Sequence, residues 1–155
     1  MILNTTDWPT SGRYCFEFRI GIEGEAAAAA ARSRNADDLI RLADVVRKLE
    51  TIDVTCDPGL TEDFDFHLCV ARASHNDYYV SAISAVRENI FGGMLLARTT
   101  SGLRTAEKMA AINEQHRAVY EAIIDGDAER ARDCMRFHLL ACRKSTSHWD
   151  ATTAH

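Results

Sequence analysis

Apolar residues recur at intervals of three and four along most of this chain, and alternation with a period of two over a strand's length is scarce. Residues three and four apart share one face of a helix, so the pattern predicts helices and no sheet. The expected fold is an all-α antiparallel bundle of six to seven helices. It forms one domain over residues 1–155, with a core from about 12 to 145.

The first helix is expected from Ser11 to Arg34, with Phe16, Ile20 and Ala27 along one side and Phe18 and Ile22 beside it. Six consecutive alanines, Ala26 to Ala31, favour helix and allow either close packing or a dimer seam. Asn35 is an N-cap with Asp38 three residues on, and Leu39, Leu42, Val46 and Leu49 form the stripe of a second helix ending near Thr51. Asp57-Pro58-Gly59 marks a turn. A third helix is expected from Thr61 to Ser74, a fourth from Asp77 to about Glu88 behind the Asn76 cap, and a fifth through Phe91 to Ala97. Gly92-Gly93 is a candidate break or kink in the fifth, and Thr99 to Gly102 reads as a loop. Thr105 to Ile124 carries Met109, Ile112, His116, Val119 and Ile123 at helical spacing. Gly126 stops that helix and Asp127 caps the last, whose inner face holds Ala131, Met135, His138 and Cys142. The polar tail after Ser145 is expected to fray.

Composition narrows the function. The net charge is −5 and the arginines are interleaved with acids, which argues against a nucleic-acid partner for this chain by itself. No apolar run is long enough to span a membrane, and Met1 to Ser11 lacks the pattern of a signal peptide. The five cysteines, with no CxxC among them, read as reduced thiols, so a cytoplasmic location is expected.

The candidate chemistry lies in the histidines. His75 sits at a turn, and His148 and His155 lie in the tail. His67, His116 and His138 each fall on the apolar face of a different expected helix. A buried imidazole needs its nitrogens satisfied. Asp63 precedes His67 by four residues, a spacing that puts the two side chains on one face about 5–6 Å apart at Cβ. Imidazoles with one carboxylate suit zinc first, with nickel, iron or manganese as alternatives. Spacing leaves other readings open: hydrogen-bonded core histidines, and an Asp63–His67 ion pair on a helix surface.

Four segments resemble a known family. They are Glu17-Phe18-Arg19-Ile20-Gly21-Ile22-Glu23-Gly24-Glu25; Asp63-Phe64-Asp65-Phe66-His67 with Ala71 to Asn76; Glu114-Gln115-His116-Arg117-Ala118-Val119-Tyr120; and Gly126-Asp127-Ala128-Glu129-Arg130-Ala131-Arg132 leading to His138. In this order they are similar to the C-terminal ligand-binding (FCD) domain of GntR-family transcriptional regulators of the FadR type, in its metal-binding branch. The resemblance covers about Tyr14 to Leu140. It implies a divalent metal held by Asp63, His67, His116 and His138, and a small carboxylate effector beside it. Arg19 matches the family's first-helix arginine and is a candidate for the effector carboxylate, with a salt bridge to Glu23 as its alternative. Asn76 and Arg87 are further cavity candidates. The family also implies a homodimer, and DNA binding only through a winged helix-turn-helix domain that this sequence does not contain.

A sensor, not an enzyme, is the expected function. The competing readings are a metal-dependent enzyme on a helical bundle and a helical interaction module with structural histidines. Asp65, the carboxylate nearest in sequence to the proposed ligands, is placed off the Asp63/His67 face, and no nucleophile motif is found.

Overall fold

A computed structural model describes residues 8–53, 56–57, 59–100 and 106–146. Among them are seven helices and no strand: α1 (Trp8–Ser33), α2 (Ala36–Thr51), α3 (Leu60–Ala73), α4 (Asp77–Ala85), α5 (Arg87–Thr100), α6 (Ala106–Asp125) and α7 (Ala128–Thr146). They pack as an antiparallel bundle, as the periodicity predicts.

The longest helix, α1, is the hub and packs against α3, α4, α5, α6 and α7. Its composition suits that place. Ala26, Ala27, Ala28, Ala30 and Ala31 are fully buried, so neighbouring helices approach its axis closely. The alanine run is therefore spent on packing within the chain. Gly24 continues it, because a Cβ there would come within 2.9 Å of the Arg136 side chain on α7. Phe18, placed near the inner side by spacing, is instead 39% exposed, because the covered face of α1 here is the one that carries Arg19. The main core gathers Leu42, Val46 and Leu49 of α2, Phe66 and Val70 of α3, Val119 and Ile123 of α6, and Met135 and Leu139 of α7.

Local signals set the helix ends. Asn35 and Asp38 form a reciprocal capping box: the Asn35 side chain accepts from Asp38 N–H, and Asp38 Oδ2 accepts from Asn35 N–H, both at 3.0 Å. Asp38 Oδ2 also meets His75 Nε2 at 2.7 Å, which ties the start of α2 to the α3–α4 turn. Gly126 has φ +72°, and the Gly126 and Asp127 amides bond back to Ile123 and Ala122. That is a Schellman ending, available to glycine without a Cβ penalty. Asp127 then caps α7 through Arg130 N–H at 3.1 Å.

Three boundaries differ from the sequence expectation. The first helix begins earlier, at Trp8. The fourth ends at Ala85, because Val86 leaves helical geometry (φ −103°, ψ 11°) and redirects the chain into α5. Gly92 and Gly93 do not break α5, which runs on through Thr99 and Thr100. Gly93 is buried against the cavity described below, where packing holds the helix despite its low propensity. Ser101, Gly102, Thr105, Pro58, His148, His155 and most of the polar tail lie outside the described residues.

Candidate metal centre

Three helices bring the four proposed ligands together. Asp63 and His67 lie one turn apart on the inner face of α3, His116 faces them from α6 and His138 from α7. All four are buried, and one donor atom from each lies within 4.8 Å of all the others. His116 Nε2 is 3.4 Å from Asp63 Oδ1, and His67 Nε2 is 3.7 Å from Asp63 Oδ2. The rings of His67 and His138 stack at 5.3 Å with 22° between their planes. The His116 and His138 centroids are 4.4 Å apart.

The surroundings orient these rings. Gln115 Oε1 accepts from His138 Nδ1–H at 2.9 Å, which leaves the Nε2 lone pair available. Glu23 Oε2, from α1, meets His67 Nδ1 in close contact. His67 Nε2 is buried and has no hydrogen-bond partner. An orphaned imidazole nitrogen beside a carboxylate and two further histidines is what a divalent cation would satisfy, so the donor set fits a metal. Burial, and then His116 and His67 nearby, hold the His138 imidazole well below its usual range against the opposing pull of Asp63. It is therefore neutral, as a metal ligand must be.

Arg19 reaches the same centre from α1. It is 5% exposed, and its Nε donates to Glu23 Oε1 at 2.5 Å. The Glu23 carboxyl feels burial most strongly, which would raise it. Arg19 and His67 together outweigh that and bring it down to about 2. The pair is thus charged. Arg19 Nη2 is also buried but has no hydrogen-bond partner, and Arg19 lines a cavity of about 240 Å³. Asp63, His67 and His138 also line that cavity, with Gln115, Lys108 and Ser145. Its apolar walls include Phe16, Ile90, Met94, Met109 and Ile112.

Residues 15–141 match the model of the FCD domain family. The chain belongs to the FCD domain family. Its curated relatives are named as regulators. It is 28% identical over 123 residues to the HTH-type transcriptional regulator LutR of Bacillus subtilis, an alignment covering 79% of this chain and 56% of that one. It is 30% identical over 100 residues to a putative L-lactate dehydrogenase operon regulatory protein of Escherichia coli, covering 63% of this chain and 38% of the relative. The chain thus spans about half or less of the length of these curated relatives. Among solved structures, a Streptococcus agalactiae GntR protein superimposes with a TM-score of 0.73 at 24% identity, over 89% of this chain and 60% of that one. That likeness supports the fold.

The other two candidates named from the sequence are not brought to the cavity of this FCD domain. Asn76 is exposed, and its side chain caps α4 by accepting from Tyr78 N–H at 3.1 Å. Arg87 lies over the Phe91 ring at 4.3 Å and pairs with Glu88 at 3.1 Å on the surface. Asp65 is exposed, off the ligand face as its position predicts. Gln115 was not singled out by the sequence, although it adjoins His116. One residue's step along a helix turns the side chain by about 100°, and only the α6–α7 packing shows that this turn delivers Gln115 to His138. No helix among the described residues is long and apolar enough to cross a membrane.

Proposed function

We propose that this FCD domain senses a small carboxylic acid with the help of a divalent metal and serves a transcription regulator of the GntR family. The observation that carries the reading is the convergence of Asp63, His67, His116 and His138 on one buried centre, where Asp63, His67 and His138 line a cavity that also presents Arg19. Asp63, His67, His116 and His138 would hold the metal, with zinc as the first choice. When bound, it supplies a Lewis-acid site for a carboxylate oxygen. Arg19 offers the unfilled Nη2 donor to the same carboxylate, and the apolar walls exclude water, which strengthens both contacts.

The name of the Escherichia coli relative makes a short 2-hydroxy acid such as lactate the first effector to screen. The names of the relatives favour regulation over catalysis. In this reading two copies associate, in the cytoplasm, and the acid shifts the balance between dimer geometries. That shift biases winged helix-turn-helix heads carried outside this domain.

Calorimetric titration of chelator-treated, tag-free protein with zinc tests the metal. One equivalent is expected to bind, more weakly as the pH is lowered, because protons compete with the metal for the imidazole nitrogens. His138→Ala is expected to lose most of the affinity, and unchanged affinity there would refute the assignment. Short organic acids should then raise the melting temperature of the zinc-loaded protein. They should do so less in chelated protein and in Arg19→Ala. Equal stabilisation in all three would place the acid elsewhere.

A further inference from the structure

Glu23 lies between the two halves of the centre. Its Oε1 accepts from Arg19 Nε at 2.5 Å, and its Oε2 is against His67 Nδ1. It is 1% exposed, and Oε2 and His67 Nδ1, both buried, have each other as a close contact and no hydrogen-bond partner elsewhere to compete for them. Resting on the metal-assisted reading above, we propose that Glu23 is a positioning residue that acts on both halves. Through Oε2 it keeps the His67 proton on Nδ1, leaving Nε2 to ligate. Through Oε1 it fixes the Arg19 fork so that Nη2 stays on the cavity.

The argument is one of donors and acceptors. A carboxylate oxygen can only accept, so the nitrogen facing it must carry the proton. With Nδ1 protonated, the neutral ring has its lone pair on Nε2, which is the nitrogen on the Asp63 side, 3.7 Å from Oδ2. Arg19 Nε–H is also a donor, so both neighbours of Glu23 require acceptors. Two carboxylate oxygens serve both at once, and no isosteric neutral side chain can. A glutamine has one acceptor oxygen and one NH₂. If its oxygen serves Arg19, its NH₂ faces His67 Nδ1 and drives the proton to Nε2, where it blocks the metal. If its oxygen serves His67, its NH₂ opposes Arg19 Nε–H and the guanidinium must turn. A carboxylate behind a histidine is a common way of orienting a metal ligand. Here the same carboxylate also holds the arginine that would meet the effector, so the two subsites share one support.

The test begins with the metal-free wild-type protein. Imidazole ¹⁵N–¹H spectra, with His67 assigned by comparison with His67→Gln, should show the proton on Nδ1. The other tautomer would overturn the proposal without any variant having to fold. Glu23→Gln is then titrated with zinc beside the wild type. The expected loss is about 10–100-fold in affinity, as for other removed partners of metal-binding histidines. A move of the His67 proton to Nε2, or reduced stabilisation by the screened acid, should accompany it. Glu23→Asp keeps both acceptors and should restore most of the zinc affinity lost in the glutamine variant. Zinc affinity within twofold of wild type in Glu23→Gln would overturn the role of Glu23 and leave the metal site standing. Absence of zinc binding by the wild type would instead remove the metal reading itself, and this inference with it.

Discussion

At the scale of single residues, the centre depends on groups that never touch its occupant. Phe66 is fully buried, and its ring lies 4.5 Å from that of His116 and 5.5 Å from that of His67. Replacing it with alanine removes a core aromatic and the wall that holds two ligand rings in place. The expected cost is about 3–5 kcal/mol in urea denaturation. Gln115 is less important for folding and more important for the site. Gln115→Leu leaves His138 Nδ1–H without its acceptor, so zinc affinity should fall by about tenfold or more while the denaturation midpoint moves little. Asp65→Asn, on the exposed side of the same helix as Asp63 and His67, should leave zinc affinity unchanged. A large loss there would mean that the site extends beyond the four residues assigned to it.

At the scale of elements, helix ends and cross-helix ion pairs tie the bundle together, among them Arg117 with Glu50 and Glu25 with two arginines. Asn35→Ala removes half of the capping box that starts α2 and should cost about 1 kcal/mol. Gly126→Ala should cost about 1–2 kcal/mol from the left-handed backbone alone. It should cost more in practice, because the new Cβ would sit 2.9 Å from Arg34 Nη2. That guanidinium cannot move freely, since it is bonded to the carbonyls of Ala31 and Ile124. Glu25 links α1 to α7 through Arg132 at 2.8 Å and Arg136 at 2.9 Å. The hydrogen bond from Arg132 leads in lowering its carboxyl from the usual value of 4.5. A carboxyl lowered by folding stabilises the folded state above its unfolded value, and that contribution is lost as pH falls through the folded value. Glu25→Gln should therefore be slightly less stable than wild type at pH 7, with the gap closing below about pH 4. The gap is small because the group is exposed to water. A gap that widened in acid would contradict the assignment.

For the whole molecule, charge and linkage make two expectations. A chain with net charge −5 should show no salt-resistant, sequence-dependent retention of DNA in a gel shift when it is the only protein present. A metal that binds only the folded form should stabilise it by about 2.7 kcal/mol at a hundredfold excess over Kd. Scanning calorimetry across a zinc series should follow that logarithmic law in wild type and lose it in His116→Ala. A concentration-independent melting temperature in wild type would exclude a site that forms only on folding.

Local chemistry determined much of this protein in advance. The period of three to four residues specifies helices, Asn35, Asn76 and Gly126 specify their ends, and the apolar neighbours of His67, His116 and His138 specify that these imidazoles face inward. Each is legible because it depends on residues within one or two turns of each other. The break at Val86 and the unbroken course of α5 through Gly92 and Gly93 were not legible, because packing overrides propensity there. Nor could spacing separate Arg19 from Asn76 and Arg87 as a cavity residue. Arg19 is buried, whereas Asn76 at the α3–α4 turn and Arg87 at the start of α5 are exposed, a difference set by which neighbours cover each position. The meeting of α1, α3, α6 and α7 around one centre was decided only by tertiary structure. The Arg19–Glu23 pair, four residues apart on α1, was legible, but only the packing set Glu23 against His67 and Gln115 behind His138, across separations in sequence that no helical period connects.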